Sequence, residues 1–201
     1  DFEKMWRFVQ QDYAHKQDRF IWLFSRLGDW KYVLWYQKKY VPSFFREYAH
    51  LWLDAFDRLL GFVLSEEGGN IFFIFTLQGY DYLYAEILDW TIRHWGPRYE
   101  TLVTEVHEFQ TEALSRLEEC GFHSKGVAAT TRAYDLPNRP DEVISLPPGF
   151  RIVDMGENSD VYSKALLYLD AYEGKNEVNE LFLLLSAYSH ESPAYEPCFD
   201  L

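Results

Sequence analysis

Phe2, Met5, Trp6, Val9 and Tyr13 recur at the spacing of one helical face, so the first dozen or so residues predict an amphipathic helix. Residues 20–27 follow no clear period. Residues 29–36 (DWKYVLWY) are β-branched and aromatic enough to predict a strand, although the alternation is broken. Residues 51–56 and 59–65 are strand-like runs joined at Asp57-Arg58, which is the pattern of a hairpin. Glu66-Glu67-Gly68-Gly69-Asn70 predicts a turn, because glycine tolerates the positive φ that tight hairpins need. Residues 70–77 (NIFFIFTL) are apolar at successive positions, which predicts a third strand buried on both faces.

Residues 82–95 return to helical spacing, with Leu83, Ile87, Trp90 and His94 on one face and Gly96-Pro97 as the stop. TLVTEV (101–106) predicts a strand, TEALSRLEEC (111–120) a short helix ended by Gly121, and GVAATTRAY (126–134) a last strand. The order is helix, three or so meandering strands, helix, strand, helix, strand: a mixed α/β domain. A proline-rich stretch follows, from Pro137-Asn138-Arg139-Pro140 to Pro147-Pro148-Gly149. Beyond it lie a strand candidate (150–154), helices at about 159–172 and 178–189, and a strand start at Phe199-Asp200-Leu201. Fifty-four residues make a poor domain alone, so this piece reads as the opening of a second domain that is cut short.

The composition narrows the classes of function. A net charge of -13 argues against broad nucleic-acid binding and against docking on anionic membranes. The charge is uneven: residues 148–201 hold three basic and ten acidic side chains, against 16 and 22 in the first 147. The two cysteines, Cys120 and Cys198, form no CxxC or His/Cys cluster, which predicts a reducing, cytoplasmic setting. The charged N-terminus is unlike a secretory leader, and no apolar run nears the roughly 20 residues that span a bilayer. A soluble protein is expected.

The run Gln110-Thr111-Glu112-Ala113-Leu114-Ser115-Arg116-Leu117-Glu118-Glu119-Cys120-Gly121-Phe122 resembles the N-x-x-A-x-x-L-Y-x-K-x-G-F pattern near the end of the GNAT acetyltransferase fold. Ala113, Gly121 and Phe122 match, whereas Gln110, Arg116, Leu117 and Glu119 depart from it. Leu60-Gly61-Phe62-Val63, Gly68-Gly69 and the run 71–77 resemble that family's hairpin and central strand. The run 146–155 (LPPGFRIVDM) resembles the first strand of another GNAT domain, and 192–201 (SPAYEPCFDL) the approach to its central strands. Tandem GNAT proteins of this layout occur in bacteria.

The resemblance implies acetyl-CoA as co-substrate, held by a Q/R-x-x-G-x-G/A loop whose bare N–H groups face the pyrophosphate. In this chain that loop falls at Gly79-Tyr80-Asp81-Tyr82-Leu83-Tyr84, with Tyr82 and Tyr84 at the two small positions and Asp81 beside the expected phosphates. Starting at Gln78 places Asp81 and Leu83 at the small positions instead. The family's thiolate-protonating Tyr corresponds to Leu117, which has no proton to give. The first domain therefore reads as a degenerate copy.

Other candidates have bland alternatives. Glu105 and His107 end a strand, where a base could lie, but strand-end polar residues are usually solvated. His94 reads as a packed or helix-end histidine, and His15, His50, His123 and His190 lack metal-ligand spacing. Cys120 and Cys198 have no identifiable base, and no serine-hydrolase elbow is present. Glu66-Glu67 and Glu118-Glu119 read as solvated turns and faces. The aromatic share of 19%, dense at Trp30, Tyr32, Trp35, Tyr36, Tyr40, Tyr80, Tyr82 and Tyr84, fits a stacking platform for a ligand, a protein interface, or simple core filling.

The expectation is an α/β chain with a GNAT-like mixed central sheet flanked by helices at 1–136, a linker at 137–147, and the opening of a second GNAT-like domain at 148–201. The resemblance implies an acetyl-CoA-dependent N-acetyltransferase acting on an amine-bearing small molecule or peptide. Its working site is expected in the second domain beyond Leu201, so no catalytic, cofactor-binding or metal residue is assigned in this chain. The alternative is a non-catalytic binding or scaffold module. Homo-oligomerisation stays open.

Overall fold

The computed structural model describes residues 1–16, 24–33, 39, 41–130 and 145–200. These divide into two compact units, the first within residues 1–30 and 36–130, the second within 31–35 and 131–201. The chain is a mixed α/β protein. Its helices are α1 (Phe2–Lys16), α2 (Phe24–Tyr32), α3 (Phe44–Glu47), α4 (Leu83–Trp95), α5 (Thr111–Glu119), α6 (Val161–Glu173) and α7 (Glu180–Ser189). Its strands are β1 (Ala49–Leu53), β2 (Leu59–Leu64), β3 (Ile71–Thr76) and β4 (Val103–Thr104), which form one sheet in the order β1-β2-β3-β4.

β1, β2 and β3 are antiparallel neighbours, and β4 returns parallel to β3 after α4. The apolar run of β3 needs cover on both sides, and it has it. Phe73 and Phe75, with Phe62 and Leu64 of β2, pack against Met5, Trp6, Phe8 and Val9 of α1 and against Leu27 and Trp30 of α2. The alternate residues Phe72, Ile74 and Val63 pack against Leu83, Ile87, Leu88 and Trp95 of α4 and Leu117 of α5. Phe62 and Phe75 are register partners, and their rings stack at 4.3 Å.

Five expected elements differ. Residues 29–36 were expected to form a strand, but residues up to Tyr32 belong to α2. There Leu27 and Trp30, three apart, bury one helical face, and the Trp30 indole N–H donates to the Ser65 carbonyl (3.0 Å). Tertiary burial has overridden β propensity. TLVTEV pairs only at Val103 and Thr104. Residues 126–130 form no strand; they are exposed, and Gly126 takes φ of 114°. Residues 131–134, and most of the expected linker (137–144), lie outside the described residues. Residues 150–154 have no ladder partner; the Phe150 N–H and the Asp154 carbonyl are used in local turns, and the long-range backbone bond beside them runs from Met155 N–H to the Asp200 carbonyl (2.8 Å). The expected strand start at 199 lies in a 3-10 turn, Pro197–Phe199.

The matched residues Ala113, Gly121 and Phe122 have structural duties. Ala113 is buried. Gly121, at φ 86°, closes α5: its N–H donates to the Glu118 carbonyl and the Phe122 N–H to the Leu117 carbonyl (3.0 Å each). The Phe122 ring then meets Phe72 edge-on.

Gly61 lets α4 approach the sheet. A Cβ there would stand 2.8 Å from the Phe75 carbonyl oxygen and 2.9 Å from Ile87 Cδ1. Gly61→Ala is expected to destabilise the protein by about 1–3 kcal/mol, read as a lower urea midpoint. An unchanged midpoint would show that the sheet and α4 are loosely apposed here.

Candidate functional site

Ligands of open α/β sheets bind outside the carboxyl ends of the strands. In the first unit that position is the 77–82 loop between β3 and α4. Leu77 N–H still follows the ladder and donates to the Leu60 carbonyl (2.8 Å). Gly79, at φ 83°, turns the chain, and Tyr80 N–H donates back to the Leu77 carbonyl (2.8 Å). The first N–H groups of α4 are engaged in turn bonds, Leu83 to the Tyr80 carbonyl and Tyr84 to the Asp81 carbonyl (2.9 Å each). No side chain caps the helix from Tyr82.

The surroundings of this helix entry are aromatic and acidic. Tyr82 is 69% exposed, and its ring lies 6.0 Å from that of Tyr80. The Arg58 guanidinium lies 6.0 Å over Tyr80. The Asp81 carboxylate accepts a long hydrogen bond from Thr76 Oγ1 (3.5 Å) and places a negative charge where the helix macrodipole is positive.

Tyr84 takes no part in that surface. It packs, as Tyr80 does in part, against the α4 layer that also includes Leu117 and Cys120, whereas Tyr82 is exposed, so the three tyrosines do not share one face. Its hydroxyl is buried with no hydrogen-bond partner, and burial with the neighbouring Cys120 thiol pushes its pKa above the usual tyrosine range.

The strand-end candidates are engaged separately. Glu105 forms an ion pair with Arg26 (3.9 Å), whereas His107 stacks on Phe109 (5.0 Å) and its backbone N–H donates to Gln110 Oε1 (3.1 Å). Arg26 also grips Glu66 through Nε (3.2 Å) and Nη2, and its guanidinium lies 4.7 Å over the Phe73 ring. Glu66, expected as part of a solvated turn, is thus half of a bidentate pair. Lys39, 4% exposed, reaches the Asp29 carbonyl (3.4 Å). Desolvation pushes its pKa down, opposed by Glu66, Asp29 and Glu67, and desolvation with Glu66 pushes that of Asp29 up. These charges tie α2, the β2–β3 turn and β4 together.

Two of the histidines meet across one tryptophan. The His50 and His94 rings each stack on Trp90, at 4.1 and 4.3 Å, and Trp52 meets His50 and Trp90 edge-on. The Trp52 indole N–H donates to Glu86 (2.9 Å). Spacing within β1 and α4 makes each half legible, but not their meeting. Partial burial and the nearby His94 lower the His50 pKa.

His15 Nδ1 lies 2.7 Å from the Gln11 carbonyl, His123 is exposed, and His190 stacks on Tyr195 and faces Asp200 (3.6 Å) in the second unit. Cys198 is exposed. Of the aromatic group, Trp30 is core, and Tyr32 packs on Tyr188 within the second unit; Trp35, Tyr36 and Tyr40 lie outside the described residues. Among the described residues no three His, Cys, Asp or Glu side chains are grouped to hold a metal, and no helix is long and apolar enough to cross a membrane. No family model, curated protein or solved structure matches the chain.

Tyr84→Phe is expected to raise stability by about 1 kcal/mol, because it removes an unpaired buried hydroxyl and keeps the ring. A lower thermal midpoint would mean that the hydroxyl has a partner. A second expectation concerns pH. The fold prefers neutral His50, so its contribution is full above the ordinary histidine value of 6.5 and is lost as the pH falls through and below it. His190 shifts the same way, through burial and Lys164, so the diagnostic quantity is a difference. His50→Gln should flatten the acid side of the thermal-midpoint profile relative to the parent; superimposable profiles would remove the stack as a source of pH dependence.

Proposed function

We propose that this chain carries part of a GNAT-type, acetyl-CoA-dependent N-acetyltransferase, and that its first unit is a degenerate copy without an ordinary CoA site. Acetyl transfer to an amine then belongs to the GNAT-like domain that residues 148–201 open. The observation that carries the reading is the β3–loop–α4–β4 unit. An antiparallel meander delivers β3, a loop and helix follow, and β4 returns in parallel beside β3. The resemblance assigns the CoA loop to that junction.

The chemistry of the loop supports loss of the cofactor there. A pyrophosphate needs open backbone N–H groups and close approach. Here Leu83 and Tyr84 N–H groups are engaged, Asp81 supplies a like charge, and the Tyr80 and Tyr82 rings flank the entry. Leu117 is buried in the α4–α5 layer, where it acts as packing. In the second unit, α7 leaves Leu181 and Leu184 exposed and α6 leaves Leu167 exposed, which fits two helices drawn from a larger core. An acidic chain also tolerates a cationic amine better than an anionic acceptor. The same loop supports the second reading, a non-catalytic binding or scaffold module.

Calorimetric titration of acetyl-CoA, with CoA as control, tests the reading. The parent chain is expected to give no binding in the micromolar range. The combined variant Asp81→Asn, Tyr82→Gly, Tyr84→Ala removes the charge and supplies both small positions, and should gain at least about tenfold in affinity, or 1.4 kcal/mol. Micromolar binding by the parent would show that the first unit keeps a working site. A folded variant with no gain would remove the loop as a former CoA site.

A further inference from the structure

Residues 193–200 run from the end of α7 back to the start of α6, yet they bury little of themselves. Among them only Tyr195 and Asp200 are not exposed, and Phe199 is 85% exposed. Most of their backbone bonds are local: Tyr195 N–H donates to the Ser192 carbonyl (2.9 Å), Phe199 N–H to that of Glu196 (3.0 Å) and Asp200 N–H to that of Pro197 (3.2 Å). Among the described residues, their only long-range backbone bond is the one that the Asp200 carbonyl accepts from Met155 N–H (2.8 Å). Hydrophobic burial therefore does little to hold this segment, since that stabilisation scales with the apolar area removed from water.

Its side-chain attachments converge. The Asp200 carboxylate pairs with Lys164 in the first turn of α6 and faces His190 Nε2 at the end of α7 (3.6 Å). The Tyr195 ring stacks on that of His190, at 4.2 Å and 10° between planes. Both inward side chains of the segment thus meet the same imidazole. Pro197 and Cys198 pass over Gly156, where an added Cβ would stand 3.6 Å from Pro197 Cβ and 3.8 Å from the Cys198 nitrogen. The carboxylate, the ammonium and the imidazole stay partly open to solvent, so their attraction is modest and screened by salt. The helices are held differently: Ala165, Leu169 and Leu185 are buried, and the Tyr168 ring lies 5.9 Å from that of Phe182. A segment held by solvent-accessible charge, beside helices held by burial, has the lower opening free energy.

We propose that residues 193–200 are a strap, clasped through Asp200 and Tyr195 onto Lys164 and His190, that opens and closes as one unit while α6 and α7 stay folded. Closed, the strap neutralises Lys164 with a carboxylate of the same chain. Open, it releases the ammonium, the imidazole and the Tyr195 ring together, and so changes the surface at the start of α6 and the end of α7. The other basic side chains of residues 148–201, Arg151 and Lys175, are paired with Glu157 and Glu173. Opening therefore offers a positive charge that the closed unit does not. The device stands independently of the acetyl-CoA reading, because it needs only contacts within the second unit.

Residue-resolved amide hydrogen exchange tests it, with Met155 N–H reporting closure and the amides of Leu169 and Leu185 reporting the helices. Met155 is expected to exchange faster than both helix amides. Raising NaCl from about 0.05 M to about 1 M should speed it further, by about threefold, with the helix amides unchanged. Asp200→Asn keeps the carbonyl but removes the charge, and should speed Met155 exchange by about tenfold. Glu196→Gln removes an exposed carboxylate outside the clasp and should leave the parent rate. Exchange of Met155 in step with the helix amides, a Met155 rate unmoved by salt or by Asp200→Asn, or an equal acceleration by Glu196→Gln would overturn the proposal.

Discussion

β2 and β3 run side by side with both of their faces covered, and the other elements of the first unit are arranged around that pairing. Phe62 stacks on Phe75 in register, and Phe8 of α1 meets Phe62 edge-on. On the opposite face Val63, Phe72 and Ile74 support α4, which can come close because Gly61 has no side chain. Each ring buried this way is worth about 1.5–3 kcal/mol relative to exposure. Loss of the pair would therefore strip support from both helical layers.

The position of the 77–82 loop follows from that arrangement. β3 is held on both faces up to Thr76, and α4 is anchored from Leu83 onward, so the intervening residues must turn within a short span. Gly79 makes the turn possible, and the backbone bonds of Tyr80, Leu83 and Tyr84 fill it. A helix N-terminus attracts anions in general. This one is already faced by Asp81 and flanked by two phenol rings, which changes what can approach it. On the other face Arg26 bridges Glu66 and Glu105, so the charges near β4 hold elements together.

The second unit is built on a different balance. α6 starts at Asp160, whose carboxylate accepts from Ser163 N–H (3.0 Å), and α7 at Asn179, whose side chain accepts from Phe182 N–H (2.8 Å). These caps fix the starts of the two helices expected at about 159–172 and 178–189. Asp200 joins separate parts of the unit: its carboxylate meets Lys164 and His190, and its carbonyl accepts from Met155 N–H. Neither the 150–154 run nor the 199 end finds a strand partner. A strand is a property of a pair, since its backbone groups need a neighbour.

The sequence by itself determined the elements whose residues bury against a face defined locally. The helical spacing of Phe2, Met5, Trp6 and Val9, the continuous apolar run of β3, the stop at Gly96-Pro97 and the Gly121 closure of α5 all read correctly, because period and turn chemistry act over a few residues. Tertiary structure decided the rest. It made 29–32 helical by burying Trp30, confined TLVTEV to two paired residues, and left 126–130 outside the sheet. It also made the sites: Arg26 with Glu66 is 40 residues apart in sequence, and His50 meets Trp90 from a different element. Such contacts depend on how the sheet and helices pack, a long-range outcome that no local periodicity encodes.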